Sequence, residues 1–338
     1  MAALLEVRDL SIAFASRHGR ALTVVDRVSF DVAERETVCV VGESGSGKTV
    51  TLLSVLGLLD PFVTRMSGSV RFKGREILNQ RPAVMRGIRG RDIALISQDP
   101  MTALTPVRTI GSQIVEQIRQ HTDISRAGAR RRTVELLGEV GIASPAAVFD
   151  RFPHQLSGGM RQRVVIAAAL SCSPSLLIAD EPTTALDVTV QAQILDLLRR
   201  LGRDFGSSII LITHDMGVVA EMADRVLIMY GGRVVERGSR DQVFLDPWHP
   251  YTWGLIGSIP PLDGPRPDRL VSIPGAPPQP GQWPAGCIFQ PRCTFAEAAC
   301  TALPPVIQAE GREVRCVIDP QSRPAKRHHL SSIAAGVP

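Results

Sequence analysis

The run Gly42-Glu43-Ser44-Gly45-Ser46-Gly47-Lys48-Thr49 has the spacing GxxxxGK[ST]. Glycines at these positions let backbone N–H groups converge on phosphate oxygens, while a lysine reaches the outer phosphates and a hydroxyl ligates Mg²⁺. Lys48 and Thr49 are the residues placed for those tasks. A second candidate is Leu176-Leu177-Ile178-Ala179-Asp180-Glu181, an apolar stretch ending in two carboxylates. Asp180 suits the Mg²⁺ shell, and Glu181 is placed to accept a proton from, or orient, a water attacking the γ-phosphate. By itself the pair reads first as a surface turn before Pro182; the loop upstream decides for chemistry.

Weaker signals surround these. Ser157-Gly158-Gly159 opens an apolar helix from about Met160 to Leu170, where free N–H groups make an anion site, although such triplets are commonly plain helix caps. His214 ends an apolar run, within reach of a γ-phosphate, and a lone histidine there is otherwise structural. Gln98, in Ile96-Ser97-Gln98-Asp99-Pro100, can hydrogen-bond an attacking water or a metal shell. Cys287, Cys293, Cys300 and Cys316 lie in a proline-rich region, and four thiolates suit iron–sulfur or zinc. Without tight CxxC pairs the spacing favours a [4Fe–4S] cluster, with zinc, free thiols or disulfides as the alternatives. Cys39 and Cys172, in apolar contexts, read as core residues.

These groups need elements to hold them. Residues 4–41 read as short β segments, including Val28–Val32 and Thr37–Val41, the latter running into the Gly-rich turn. A helix over Lys48 to about Leu58 follows. Residues 100–170 turn helical, with apolar positions three or four apart in Ile110–Gln120 and Arg131–Val140. Leu176–Ala179 and Ile209–Thr213, separated by the helical stretch Val190–Leu201, read as parallel strands of an α/β core. Val226–Met229 and Arg233–Glu236 form a hairpin across Gly231-Gly232. Nine of the 25 residues from Pro260 to Pro284 are proline, the composition of a linker or an extended wrap. The expected division is 1–246 for one nucleotide-binding domain and 247–338 for an extension.

With 338 residues, 44% hydrophobic and 21% charged, the composition is that of a folded globular chain rather than a disordered one. No apolar run approaches the ~20 residues of a membrane span, and no secretory leader is visible, so a cytosolic location is expected. The net charge of +5 is spread over interspersed charges. The densest basic run, Arg130 to Arg132, reads as a solvated helix face rather than a nucleic-acid contact.

Taken together in their order, these motifs resemble the ATPase subunit of ABC transporters over residues 4 to about 246. The resemblance implies a P-loop α/β fold with a RecA-like core, an antiparallel β subdomain and a helical subdomain at about 100–170, followed by an irregular C-terminal extension. It makes Leu156–Met160 the family signature, Gln98 the Mg²⁺-sensing glutamine that contacts membrane subunits, His214 the switch histidine and Phe14 the aromatic that stacks on adenine. Asp187 lies in the loop after the catalytic carboxylate. ATP and Mg²⁺ are the implied cofactors, with each ATP held between one subunit's phosphate loop and the other's signature.

Within the family the sequence is most similar to importers of the dipeptide/oligopeptide (peptide/nickel) type, through Gln98-Asp99-Pro100, LSGGMRQR at 156–163, HPYT at 249–252, Gly286-Cys287 and Pro291-Arg292-Cys293. That implies a second, similar ATPase subunit, two permeases, an external substrate-binding protein, and a place on the cytoplasmic face of the membrane. It also supports the iron–sulfur expectation. Cargo is open among peptides, nickel, sugar, haem and glutathione, and a soluble ABC ATPase acting on nucleic acid is the remaining rival.

Overall fold

The structure is a computed structural model that describes residues 3–15, 21–184, 186–259 and 272–327. Its contacts divide the chain into two compact units, each assembled from separate stretches. One comprises Met1–Leu5, Val32–Thr37 and Phe72–Ile212; the other comprises Glu6–Asp31, Val38–Arg71 and Thr213–Pro338.

In the first unit the strands Ile93–Ile96, Leu176–Asp180 and Ser208–Thr213 pair in parallel, with Leu176 opposite both Ile93 and Ser208. Every residue of the latter two strands is buried. Such continuous apolar runs are what a parallel sheet covered on both faces requires. The helical region is present as Ile110–His121, Arg126–Glu139, Pro145–Phe149 and Gly158–Leu170. Its periodic residues Ile114, Ile118, Leu136, Leu137 and Val164 are all buried. Thr109, Ser125 and Ser157 cap three of these helices by accepting an N–H two or three positions into the first turn.

In the second unit Thr37–Val41 runs parallel to Arg225–Tyr230, which pairs antiparallel with Arg233–Ser239. The connection is the expected two-residue turn, with Gly231 and Gly232 both at positive φ (51° and 77°), as a primed hairpin turn demands. Gly232 is also needed for close approach, because a Cβ there would lie 2.2 Å from the Val24 carbonyl oxygen.

The C-terminal extension is more ordered than its composition suggests. Of the proline-rich stretch, residues 260–271 lie outside the described residues. Beyond it, Val306–Ala309 and Arg312–Arg315 form a hairpin, and the latter strand pairs antiparallel with Arg233–Ser239. Trp248, Trp253, Val314, Cys316 and Ile318 make a hydrophobic cluster of their own. Hydrophobicity spread thinly through residues 248–318 is gathered by chain reversal, which periodicity within short windows does not register.

One buried carboxylate fastens this region. Glu236 accepts the N–H groups of Trp248 (2.6 Å) and His249 (2.9 Å) and the Thr252 hydroxyl (2.5 Å). Burial, opposed by those hydrogen bonds and by Arg312, raises its pKa to about 7. Burial, helped by Arg323, lowers His249 to about 3, and its Nδ1 accepts the Tyr251 N–H at 3.1 Å as a helix cap. The two groups act oppositely on stability. Glu236 favours the fold less as pH rises from 4.5 towards 7, whereas His249, neutral in the fold, makes stability fall as pH drops below 6.5 towards 3. His249→Asn keeps a capping group without the titration, so it should lose less stability than wild type between pH 6.5 and 4. Denaturant midpoints across that range measure this, and parallel curves for the two proteins would refute it.

Candidate nucleotide site

The Gly-rich loop joins the strand Thr37–Val41 to the helix Lys48–Val55, three residues shorter than its periodicity predicts. The glycines are sterically required. A Cβ on Gly42 would sit 2.1 Å from the Met229 carbonyl oxygen and 2.8 Å from Ser46 Oγ. Gly45 and Gly47 have φ of 79° and 94°, and Gly47 caps the helix from the left-handed region. Lys48 is buried, its Nζ donating to the carbonyl oxygens of Gly42 (2.6 Å) and Glu43 (3.0 Å) and to Ser46 Oγ (3.4 Å). Its ammonium is therefore tied down at the loop's centre, while Ser44, Gly45 and Thr49 are exposed. This geometry fits a polyphosphate: a glycine turn, a helix N-terminus and a fixed cation lie together in one loop.

Of the other candidates in this unit, Phe14 ends the strand Leu5–Phe14 half-buried, and His214 is exposed directly after Ser208–Thr213. Asp215 next to it caps the helix Met216–Met222.

In the first unit Asp180 ends the buried strand and Glu181 follows it. Asp180 is 9% exposed. Glu181 adopts φ 45°, a left-handed conformation unusual for a side-chain-bearing residue, while its N–H donates to Ile212 O at 3.0 Å. The turn directs its carboxylate to Gln98, whose Nε2 donates to Glu181 Oε2 at 3.1 Å, and Thr184 Oγ1 lies 3.0 Å from the same oxygen. Two residues 83 positions apart in sequence are thus joined, and Thr184 is a contact that sequence reading missed.

Ser157 and Gly158 stand exposed at the N-terminus of Gly158–Leu170, Ser157 Oγ accepting the Met160 N–H at 3.3 Å. Asp187 caps Val188–Phe205 by accepting the Val190 N–H at 3.0 Å. The two helix starts are neighbours: a Cβ on Gly159 would lie 3.0 Å from Val190 Cγ1.

The iron–sulfur expectation is overturned. Among the described residues, no group of three or more His, Cys, Asp or Glu side chains is arranged to hold a metal ion. All six cysteines are free. Burial raises the thiol of Cys287 and pushes Cys293 up to about 12 and Cys316 up to about 11. Cys316 belongs to the Trp248 cluster, Cys287 and Cys300 are buried, and the Cys287 N–H donates to Cys300 O at 2.9 Å. Cys39 is buried as expected, whereas Cys172 is only partly so.

Sequence reading also missed the second layer of the loop. Tyr251 Oη accepts the Glu43 N–H at 2.9 Å, and Arg292 donates to the Glu43 carboxylate. Both come from the HPYT and Pro-Arg-Cys stretches, which could be read only as resemblances. The steric demand at Gly42 leads to a prediction: Gly42→Ala should destabilise the protein by about 2 kcal/mol or more and weaken nucleotide binding, since backbone faces the added methyl. Thermal melts and a nucleotide titration read this, and wild-type behaviour in both would contradict it.

Residues 25–184 match the family model for ABC transporters, and residues 235–300 match the model for the C-terminal region of oligopeptide/dipeptide transporters. A peptide import ATP-binding protein of Brucella abortus (strain 2308) is 51% identical over 93% of this chain and 95% of its own length. The oligopeptide transport ATP-binding protein AppD of Bacillus subtilis (strain 168) is 48% identical over 94% and 97%. A dimeric ATP-binding cassette in a post-hydrolysis state bound to ADP and Pi superimposes with a TM-score of 0.62 at 25% identity, over 70% of this chain and 98% of that one. The cbiO1 protein of Clostridium perfringens, part of an ABC transporter complex, gives 0.61 at 27% identity, over 73% and 92%. The phosphate loop, the carboxylate pair and these matches place the chain in the ABC transporter family, among its ATP-hydrolysing, ATP-binding subunits.

Proposed function

We propose that this chain hydrolyses ATP to drive import of short peptides through a multi-subunit transporter. The observation that carries the catalytic part is the Gln98–Glu181 hydrogen bond of 3.1 Å beside the buried Asp180. The peptide assignment rests on the printed names of the relatives and on the matched C-terminal region.

In this reading the N–H groups of Gly42–Thr49 other than those of Glu43 and Ser46, which donate to Tyr251 Oη and Glu43 O, join the Lys48 ammonium in binding the β- and γ-phosphates, and Phe14 stacks on the base. Thr49 in one unit, and Asp180 and Gln98 in the other, are each of the donor type that would hold Mg²⁺, which would supply charge neutralisation at phosphate oxygens. Glu181 orients the attacking water and receives its proton, with Gln98 and Thr184 restraining its carboxylate. His214 contacts the γ-phosphate. The water oxygen bonds to the γ-phosphorus as the bond from that phosphorus to its bridging oxygen breaks; the bridging oxygen leaves on ADP with the electron pair, and the proton taken by Glu181 is returned as ADP and phosphate leave.

A second ATPase subunit completes the reading. Ser157, Gly158 and Asp187 stand exposed, as groups that serve a neighbour's nucleotide would be, and one of the similar cassettes is titled a dimer. Among the described residues no helix is long and apolar enough to cross a membrane, so pore-forming permeases would be separate chains. An open cavity of about 450 Å³ in the first unit, lined by Arg86, Arg89, Gln113, Glu116 and Ala168, offers such a permease a docking place at the cytoplasmic face. A substrate-binding protein outside would select the peptide. The domain boundary near residue 246 belongs to the same reading.

Glu181→Gln keeps the hydrogen-bonding shape but removes the base. In the assembled complex it should leave ATP binding intact and lower turnover at least ~10²-fold. Phosphate release and a nucleotide titration measured together decide it, with undiminished turnover refuting the role of Glu181.

A further inference from the structure

We propose that Arg292 is a positioning residue for the phosphate loop, through which the C-terminal extension sets the affinity of that loop for a nucleoside triphosphate. The inference rests on the reading of Gly42–Thr49 as the phosphate loop.

Arg292 has a side chain only 5% exposed, yet every guanidinium nitrogen has its acceptors. Nε donates to Pro274 O at 2.7 Å. Nη1 donates to Glu43 Oε2 at 2.6 Å and to Tyr230 Oη at 3.2 Å. Nη2 donates to Glu43 Oε1 at 3.1 Å and to Ile273 O at 3.2 Å. The five N–H donors of an arginine are thus matched by five contacts, two forming a parallel fork on one carboxylate. A buried cation without such a set would be costly, and lysine could not reproduce it. The arginine is raised further above its ordinary pKa by Glu43 and Tyr230, against the effect of burial.

The partner is what gives this pair a function. Glu43 is the second residue of the loop, and its carbonyl oxygen accepts Lys48 Nζ at 3.0 Å. Its N–H donates to Tyr251 Oη, so its backbone and side chain are both held from residues beyond 246. Tyr230 and Tyr251 pack with ring centroids 4.6 Å apart, and Phe289 closes on both at 5.2 and 5.4 Å, making the support rigid.

The charge matters as well as the shape. A glutamate in a loop that cradles polyphosphate repels its ligand; Arg292 neutralises it through the carboxylate alone. Loss of Arg292 would both slacken the loop and uncover a carboxylate beside a polyanion. At protein-like screening, one uncompensated charge about 10 Å away corresponds to roughly tenfold in affinity.

The test is a titration of the purified full-length chain with a fluorescent ATP analogue and Mg²⁺. Arg292→Gln should raise Kd about tenfold, and the double variant Arg292→Gln with Glu43→Gln should recover a large part of that loss. A Kd shift below about threefold in Arg292→Gln, or no recovery in the double variant, overturns the proposal. Should Arg292→Gln fail to fold, Glu43→Gln decides alone: it should bind about twofold or more tightly than wild type, whereas a purely structural ion pair would leave it equal or weaker. Lys48→Ala is the control, since retained binding in that variant would refute the loop assignment itself rather than the role of Arg292.

Discussion

An eight-residue loop with three glycines has no stiffness of its own, and phosphate recognition by backbone N–H groups works only if those groups are aimed beforehand. Here the aim is imposed by contact. The Met229 carbonyl lies where a Gly42 Cβ would be, and the Gly232 N–H donates to Ser46 O at 2.9 Å. Lys48 binds the loop's carbonyls from inside, and Tyr251 and Arg292 hold Glu43 from outside. Each restraint uses a group that is itself immobile, because Tyr230, Tyr251 and the strand Arg225–Tyr230 lie in the core.

The carboxylate half of the chemistry depends on a different device. A fully buried strand ends at Asp180, and the backbone then turns through a left-handed residue, Glu181. Strain of this kind persists only where surroundings enforce it, and here the Ile212 carbonyl and the Gln98 amide do so. A carboxylate so restrained presents one orientation, which is what the role proposed for Glu181 would need. Ser157 and Asp187 need no such strain, since as helix caps they are placed by the helices they begin.

The extension is built around polar contacts inside a small core. Glu236 collects two backbone N–H groups and one hydroxyl at the start of the HPYT helix, and Arg312 joins Asp246 and lies over the Trp248 ring at 3.5 Å. A short stretch rich in proline cannot bury enough apolar area to fold alone. Strand pairing with Arg233–Ser239 and the Trp248 cluster supply what it lacks.

By itself the sequence determined the features written in contiguous residues: the phosphate loop, the strand ending in Asp180 and Glu181, the helix after Ser157, and the Gly231-Gly232 hairpin. These are local because turn geometry and burial periodicity are set by neighbours along the chain. Only the tertiary structure decided that Gln98 reaches Glu181, that Arg292 grips Glu43, and that the late cysteines are not arranged, among the described residues, as a metal centre. Those outcomes depend on which distant side chains the fold brings within 3 or 4 Å and in what orientation. Spacing along the chain does not encode that, so four cysteines in a row of suitable intervals could suggest a cluster that the folded chain does not form.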